Sequence, residues 1–547
     1  MMVNLKDLFL KRTKPEPLPT PADLDAAFGR QDFATAITLT RRLADAGNVD
    51  AMYRLGEVYE HGLGALQDFA QALEWYQRAA DLDHAEAWAK LGDFYLAGRG
   101  QRAVEGDTGG THRLLGLLSV QPDHDQAAHW NRKAADAGLA TGQAHLAYQY
   151  VYGLGVEADR AQAERLFLAA AEQGNVFAQR CLGMLYAGGE DAEARPDQSE
   201  RWFRAASEAG DAAACMALAL LIIDGHAQQG SDADAFRLLT RAAEDGQVEA
   251  MLYLGSLYRD GRGTARDVSA AETWFRRASV RGNRNATLSL GFLLTEAMEP
   301  RDYISGASVF REAAEQGDPV GQFLLGKLYL AGLGVPQDDE KALGWIRQAA
   351  EQDLLPAIEA LAALTAGGRG VTADRATAIA LFKQAAQAGS IDAPYHIAML
   401  MLDAGNDTPE IITLLEDAAA RGSHAACIQL GIIHAGREDY AAAARQYHQA
   451  TELGSADGLF NLAFLRLRGL DPAPADARSG LELLEEAAAR DHGPSLWALH
   501  NLYRDGEYVA RDDAKADHWH KRAMALSPAP ADQPAAETQP ELETLAP

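Results

Sequence analysis

Apolar residues recur along this chain in a pattern that repeats about every 36 residues. In the clearest copy, Ala51, Leu55 and Tyr59 follow one another at four-residue intervals, which places their side chains on one face of an α-helix. Gly62 and Gly64 come next, and glycine adopts the left-handed backbone angles of a helix C-terminus at little cost. The pattern therefore predicts an amphipathic first helix that ends in a glycine turn.

A second helix is predicted directly after this turn. Asp68 precedes it, where a carboxylate can accept hydrogen bonds from the free N–H groups of the first turn. Gly56 lies beside Leu55 on the first helix and removes a side chain where a neighbouring helix can approach closely. The residues that we expect the second helix to bury combine large rings with small alanines: Ala72, Trp75, Tyr76, Ala79 and Ala80.

The same template recurs through almost the whole chain. Because a fixed period of this size indicates stacked repeats, each packing on its neighbours, a long chain needs no single large core. The glycine pair is complete in six copies, and it is absent from those that begin at Ala214, Ala286, Ala393 and Ala426. The first positions of the copies are Ala51, Ala87, Gly142, Ala178, Ala214, Ala250, Ala286, Gly321, Ala357, Ala393, Ala426, Gly458 and Ser495.

Written out, the template is A-x3-L-G-x2-Y-x2-G-x-G-x3-D-x3-A-x2-W-Y-x2-A-A-x2-G, which closely resembles the Sel1-like repeat, a relative of the tetratricopeptide repeat. The resemblance covers about nine-tenths of the chain. It implies an all-α fold, a right-handed α-solenoid superhelix of about 13 Sel1-like helix-turn-helix repeats over residues 31–526. Within this array, residues 32–47 look like the second helix of an incomplete capping unit.

Three segments depart from the template. Residues 1–30 begin with a short amphipathic stretch and continue as a Pro-rich linker, which is either a loosely packed terminus or a helix that docks on a membrane surface or a partner. Residues 101–121 form an insertion with several leucines, which either packs over the edge of the array, binds a partner or is disordered. Residues 527–547 are rich in Pro and Ala and contain no Lys or Arg, so we expect a disordered acidic tail.

The net charge, the cysteine positions and the distribution of apolar residues exclude several classes of function. The formal charge of −28 disfavours nucleic acid, whose phosphates require clusters of Lys and Arg. Cys181, Cys215 and Cys427 are too far apart for a C-x-x-C motif and are expected as buried thiols. No run of 18 apolar residues predicts a membrane span, and no signal-peptide core is evident near the N-terminus. A cytoplasmic protein is therefore expected.

The sequence contains few motifs that suggest catalysis, nucleotide binding or metal binding. Gly321–Leu328 has the glycine and lysine spacing of a phosphate-binding loop, but it ends in Leu328 instead of Ser or Thr and lies within a predicted helix. His112, His124 and His129 lie in and after the insertion, with no cysteine nearby to complete a metal site. We expect no catalytic residue, no cofactor and no metal.

The strongest functional candidates are variable positions of the first helices. In tetratricopeptide arrays such positions line a concave groove, and the resemblance assigns that role here to the positions −1, +2, +6, +9 and +10 from the start of each copy. Aromatic residues and Met recur at these positions, although packing between adjacent helices would also explain them. The predicted partner-binding residues are Tyr53, Tyr148, Tyr152, Met216, Phe292, Phe323, Tyr395, Met399, Phe460, Phe464 and Trp497.

Together these observations favour a non-enzymatic scaffold or adaptor that captures segments of partner proteins on the concave face. Acidic residues near the predicted groove favour a basic or amphipathic partner segment: Glu57, Glu60, Asp93, Asp260 and Asp403. Two alternatives remain open, namely an enzyme or binder of small-molecule or cell-wall ligands, as in some proteins similar to this family, and an envelope-linked regulatory protein. The identity of the partner and the oligomeric state do not follow from the sequence.

Overall fold

The computed structural model describes residues 18–30, 32–98, 122–188, 194–405, 408–471 and 479–526. Within these ranges the chain forms 28 helices and no strand. The helices alternate as first and second members of helix-turn-helix pairs, so that in our numbering odd helices are first helices and even helices are second helices. Each helix packs against its pair member and against the next helix along the chain within the same unit.

The first of two compact units comprises Met1–Asn283 and contains seven of these pairs. Its helices are α1 (Pro21–Gly29), α2 (Phe33–Asp45), α3 (Val49–His61), α4 (Phe69–Ala80), α5 (Ala85–Ala97), α6 (His124–Asp136), α7 (Ala140–Tyr152), α8 (Arg160–Glu172), α9 (Val176–Ala187), α10 (Pro196–Glu208), α11 (Ala212–Ile223), α12 (Asp232–Glu244), α13 (Val248–Asp260) and α14 (Val268–Val280).

The second unit comprises Arg284–Pro547 and contains seven further pairs. Its first helix, α15, continues into one π-helical turn at Leu293–Ala297. Its helices are α15 (Arg284–Phe292), α16 (Tyr303–Glu315), α17 (Pro319–Ala331), α18 (Asp339–Ala350), α19 (Leu355–Gly367), α20 (Arg375–Gln387), α21 (Ala393–Leu402), α22 (Pro409–Ala420), α23 (His424–Gly436), α24 (Tyr440–Glu452), α25 (Ala456–Leu467), α26 (Gly480–Ala489), α27 (Gly493–Asp505) and α28 (Asp513–Leu526).

The predicted helix ends are confirmed in most repeats. The Asp68 carboxylate accepts a hydrogen bond from the Gln71 N–H at the start of α4. Five first helices with the full glycine pair end on a left-handed glycine: Gly62, Gly153, Gly261, Gly332 and Gly368. Gly98 differs, because its φ of 66° is combined with an extended ψ of 169° just before the insertion.

The glycine of each Leu-Gly pair lets a second helix approach its first helix closely. A methyl group added at Gly56 would overlap the Tyr76 ring, and equivalent rings lie over Gly183, Gly255 and Gly431. At Gly92 the ring is replaced by the amide of Asn131, which donates a 2.9 Å hydrogen bond to the Gln149 side chain. The close approach predicted from the template is therefore the general rule, and the repeat that the insertion interrupts uses a buried polar side chain instead of a ring.

The N-terminal region requires a correction. Part of the expected linker is helical, because α1 begins at Pro21 with a capping box between Thr20 and Asp23. Leu24 and Ala27 of α1 are buried, so α1 supplies the first helix that the capping unit was expected to lack. Residues 1–17, the insertion at 101–121 and the tail at 527–547 lie outside the described residues, and the expectations for them stay predictions.

The three cysteines are buried, as expected for thiols that fill small slots between helices. Burial raises the pKa of the Cys181 thiol to about 11, which keeps this side chain protonated. In the described part of the chain, no helix combines the length and the apolar character needed to cross a membrane.

Candidate partner-binding face

We define the first-helix face as the side of the odd-numbered helices that carries repeat positions −1, +2, +6, +9 and +10. All eleven predicted residues lie on odd-numbered helices. Tyr152 is 60% exposed, and the other ten are half-buried. Most of the half-buried rings pack against the buried core of the helices, as Tyr148 and Phe323 do. These residues are therefore neither core residues nor fully solvated.

In the first unit, α7 and α9 carry a set of exposed and half-buried apolar residues, which we call the α7–α9 patch. It consists of Tyr148, Tyr152, Phe177 and Met184. The ring centroids of Tyr148 and Tyr152 are 4.7 Å apart, and those of Tyr148 and Phe177 are 6.0 Å apart. Met184 is 47% exposed. Phe177 and Met184 were missing from the predicted set although they occupy positions −1 and +6 of their repeat, so the template already contained the signal for them.

The neighbouring helices α3 and α5 present an acidic surface, which we call the α3–α5 acidic face and define by Asp50, Glu57 and Glu86. Tyr53 lies within it and stacks on His84, with ring centroids 4.8 Å apart and planes 16° from parallel. Burial, together with the nearby carboxylates of Glu57, Glu60 and Glu86, raises the pKa of the Tyr53 phenol. Negative charge is therefore concentrated around a half-buried aromatic ring.

The expected role of Glu60 in this surface is wrong. Its side chain is buried, and it accepts hydrogen bonds from the Tyr76 hydroxyl at 2.6 Å and from the Lys90 ammonium at 2.9 Å. Glu60 thus joins α3 to α4 and α5 inside the array. Asp260 is also paired, because Arg259 donates two hydrogen bonds to its carboxylate. The carboxylates of Glu60 and Asp260 therefore already accept hydrogen bonds from within the chain.

In the second unit, apolar residues occupy the first-helix face from α21 to α27. The rings of Phe460 and Phe464 lie 4.8 Å apart, and Phe460 also contacts His492 across the repeat boundary. Trp497 packs against His500 and His520. The remaining predicted residues of this stretch are Tyr395 and Met399 on α21, both half-buried.

Two predicted residues of the second unit lie nearer its start, and one exposed residue was missed. Phe292 on α15 packs edge-to-face against Phe310. On α17, the Lys327 ammonium lies 5.7 Å from the centroid of the Phe323 ring. Ile432 occupies position +6 of α23 and is 40% exposed. It lies outside the predicted set, which contains only aromatic residues and Met.

The described residues show no arrangement for metal chemistry. Among them, no group of three or more His, Cys, Asp or Glu side chains is placed so that it could hold a metal ion. Gly321–Leu328 lies within α17, where the Gly321 N–H donates to the Asp318 carboxylate and the backbone is helical, so the stretch does not form a phosphate-binding loop.

A sequence profile described as "Sel1 repeat" matches ten stretches of the chain. Helix pairs continue through the unmatched stretches 284–318 and 391–455, where the repeats are shorter or lack the glycine pair. The matched residues are 49–84, 110–139, 140–175, 176–211, 212–247, 248–283, 319–354, 356–390, 456–492 and 496–527.

Among solved structures, the chain is similar to c5321, a protective antigen of uropathogenic Escherichia coli strains with an SLR fold. The identity is 24% over 91% of this chain and 99% of that chain, with a TM-score of 0.60. A Sel1 repeat protein from Oxalobacter formigenes is 28% identical over 60% of this chain and 90% of that chain, with a TM-score of 0.45.

Chitin synthase regulatory factor 1 of Schizosaccharomyces pombe is 30% identical over 133 residues, which are 23% of this chain and 29% of that protein. The chain thus spans less than a third of the length of this relative. The extent of the repeat matches and the agreement in fold lead to one conclusion: the chain belongs to the Sel1 repeat family.

Proposed function

We propose that this chain is a non-enzymatic scaffold or adaptor that captures segments of partner proteins along its first-helix faces. Sel1 repeat proteins generally mediate protein–protein interactions, and solenoids of this type are typically non-catalytic scaffolds. The observation that carries the proposal is the recurrence of aromatic residues and Met that are half-buried or exposed at the same positions of successive first helices.

The exposure of Tyr152 and Met184 supports binding over simple packing. A residue that only joined neighbouring helices would lose nearly all of its accessible surface, as Phe94 and Phe275 do. Tyr152 and Met184 instead keep about half of theirs. Contiguous exposed apolar residues on a soluble surface are typical of interaction sites, and a row of them on parallel helices suits the apolar side of an amphipathic segment.

The chemistry of the partner follows from the charges around these residues. The α3–α5 acidic face adjoins the α7–α9 patch, because α5 contacts α7. A segment that carries both apolar and basic side chains would match the two surfaces together. A regulatory role is a specific form of the same proposal, favoured by the similarity to a chitin synthase regulatory factor.

The proposal is tested by charge replacement in the second unit. We expect the triple variant Phe323→Lys, Tyr395→Lys, Phe460→Lys to lose its partners in crosslinking pull-down from the native host, read by mass spectrometry. The three positions are half-buried, so helical content by circular dichroism should stay close to that of the unmodified protein.

A matched control uses half-buried aromatic residues on second helices of the same unit. The triple variant Trp345→Lys, Tyr440→Lys, Trp519→Lys carries the same change on α18, α24 and α28. It should retain the partners. Loss of the partners in both variants, or in the control alone, would count against capture on the first-helix face.

A further inference from the structure

We propose that residues 1–17 of this chain bind to the first-helix face of the first unit, with their basic residues on the α3–α5 acidic face and their apolar residues on the α7–α9 patch. This inference rests on the proposed function, since it assigns an internal occupant to one of the surfaces that capture partners.

The segment has a basic part and an apolar part in a defined order. Lys11, Arg12 and Lys14 lie close to the start of α1. The apolar side chains lie farther away, and Leu5, Leu8 and Phe9 have the spacing of one helix face. The basic part must therefore cross the helices nearest α1, and the apolar part reaches those beyond.

The first helices of the unit follow one another in the order α1, α3, α5, α7. Asp25 of α1 forms an ion pair of 2.7 Å with Arg54 of α3. Lys90 of α5 lies 2.9 Å from Glu60 of α3, and α7 contacts α5. First helices run in the same direction because each is followed by an antiparallel second helix. Residues 18–20, which lead into α1, therefore lie at the end of the face where α3 and α5 begin.

The charges on the first-helix face change along the order α3, α5, α7. Asp50 and Glu86 lie in the first turns of α3 and α5, with side chains 84% and 61% exposed, and each has a carboxylate oxygen 3.4 Å from a ring nitrogen of His84. Glu57 lies two turns along α3 and beside the Tyr53 hydroxyl. Beyond them, α7 presents the exposed ring of Tyr152 and the half-buried ring of Tyr148 beside it. The face thus changes from acidic to apolar along the direction in which the segment changes from basic to apolar.

The length of the segment is sufficient. Packed helices lie ~8–10 Å apart, so the path from α1 to α7 across three intervals is roughly 30 Å. Residues 11–20 span about 33 Å when extended, at ~3.3 Å per residue. The basic residues can therefore cross α3 and α5 while residues 3–10 lie on α7 and α9. A partner with a similar basic and apolar segment would have to displace this one.

The proposal is tested by crosslinking within the full-length chain. The native thiols are buried, so introduced cysteines are the reactive ones. The test variant, Asn4→Cys, Thr141→Cys, has one cysteine in the segment and one at an exposed position of the first-helix face on α7. The control variant, Asn4→Cys, Ala161→Cys, has its second cysteine at an exposed position of the second helix α8. With a short bismaleimide and dilute protein, we expect a several-fold higher yield of intramolecular crosslink for the first pair.

Charge reversal and rescue provide the second measurement. Lys11→Glu, Arg12→Glu, Lys14→Glu should lower the yield of the first pair, and adding Asp50→Lys, Glu57→Lys, Glu86→Lys should restore it. Equal yields for the two cysteine pairs, or binding of the chain through this segment to vesicles of anionic phospholipid with no preferred crosslink, would overturn the inference. Because no partner takes part, the result is independent of the pull-down that tests the proposed function.

Discussion

At the scale of single residues, the turn after each second helix sets a strict conformational requirement. Gly317 and Gly389 hold this position with φ values of 83° and 98°, as glycine does in most repeats. In three repeats the residue is Asp83, Asp353 or Asp491, with φ between 57° and 60°. An L-residue in the left-handed region is strained, because its Cβ crowds the following carbonyl oxygen.

We therefore predict that Asp353→Gly stabilises the protein by about 1 kcal/mol, the order of the cost that a side chain carries in left-handed backbone. The measurement is a rise in the temperature of thermal unfolding. The matched control is Gly389→Ala, where an added Cβ would contact nothing within 4 Å, so that only the backbone conformation is strained. It should destabilise by a similar amount. A stabilising Gly389→Ala would show that the turn does not require left-handed angles.

Individual side-chain roles were predictable where they depend on local sequence and not where they depend on distant partners. Asp68 could be assigned as a cap because its hydrogen-bond partner Gln71 is three residues away. The burial of Glu60 could not be foreseen, because Tyr76 and Lys90 reach it from two other helices. The acidic side chain of Glu60 suggested an exposed position, whereas in the structure Glu60 is buried.

At the scale of helices, the close approach of the two members of a pair depends on the Leu-Gly glycine. The Phe275 ring lies where a Cβ on Gly255 would come within 2.7 Å of it. Since the ring is fully buried, it has no free space to move into. The helix pair α13–α14 is therefore held at a separation that only glycine allows.

We predict that Gly255→Ala destabilises the protein by about 1–3 kcal/mol, the usual cost of overpacking a core. Gly344→Ala on α18 is the matched control, because an added Cβ would meet nothing within 4 Å and the backbone is helical. That change should stabilise by about 0.5–1 kcal/mol through helix propensity. Chemical denaturation of the two variants checks both signs, and equal effects would contradict the packing argument.

The repeat period made the helix pairs predictable, and the irregular pairs were the least certain. The chain forms pairs through the repeats from Ala286, Ala393 and Ala426, although they lack the glycine pair, because burial of the alanine and leucine positions suffices. Helix α1 was missed because it has only nine residues and follows a Pro-rich stretch. Its capping box, from Thr20 to Asp23, was nevertheless readable in the sequence.

At the scale of the whole molecule, the chain combines an acidic composition with apolar surfaces that we propose as binding sites. The first unit has the α7–α9 patch, and the second has the residues from Tyr395 to Trp497 on its first-helix face. The net charge of −28 favours basic segments at both surfaces and is screened by salt. Which positions face a partner could be proposed from the template, whereas the exposure of each side chain required the structure.

The most direct test of the central claim is site-specific photo-crosslinking of a purified partner. Benzoylphenylalanine placed at Tyr152 and Tyr395, on first helices of the two units, should give crosslinked partner at one or both positions. The same residue placed at Arg165 on α8 and Glu416 on α22, which are exposed second-helix positions, should give none. Crosslinks at Arg165 or Glu416 without any at Tyr152 or Tyr395 would contradict capture on the first-helix face.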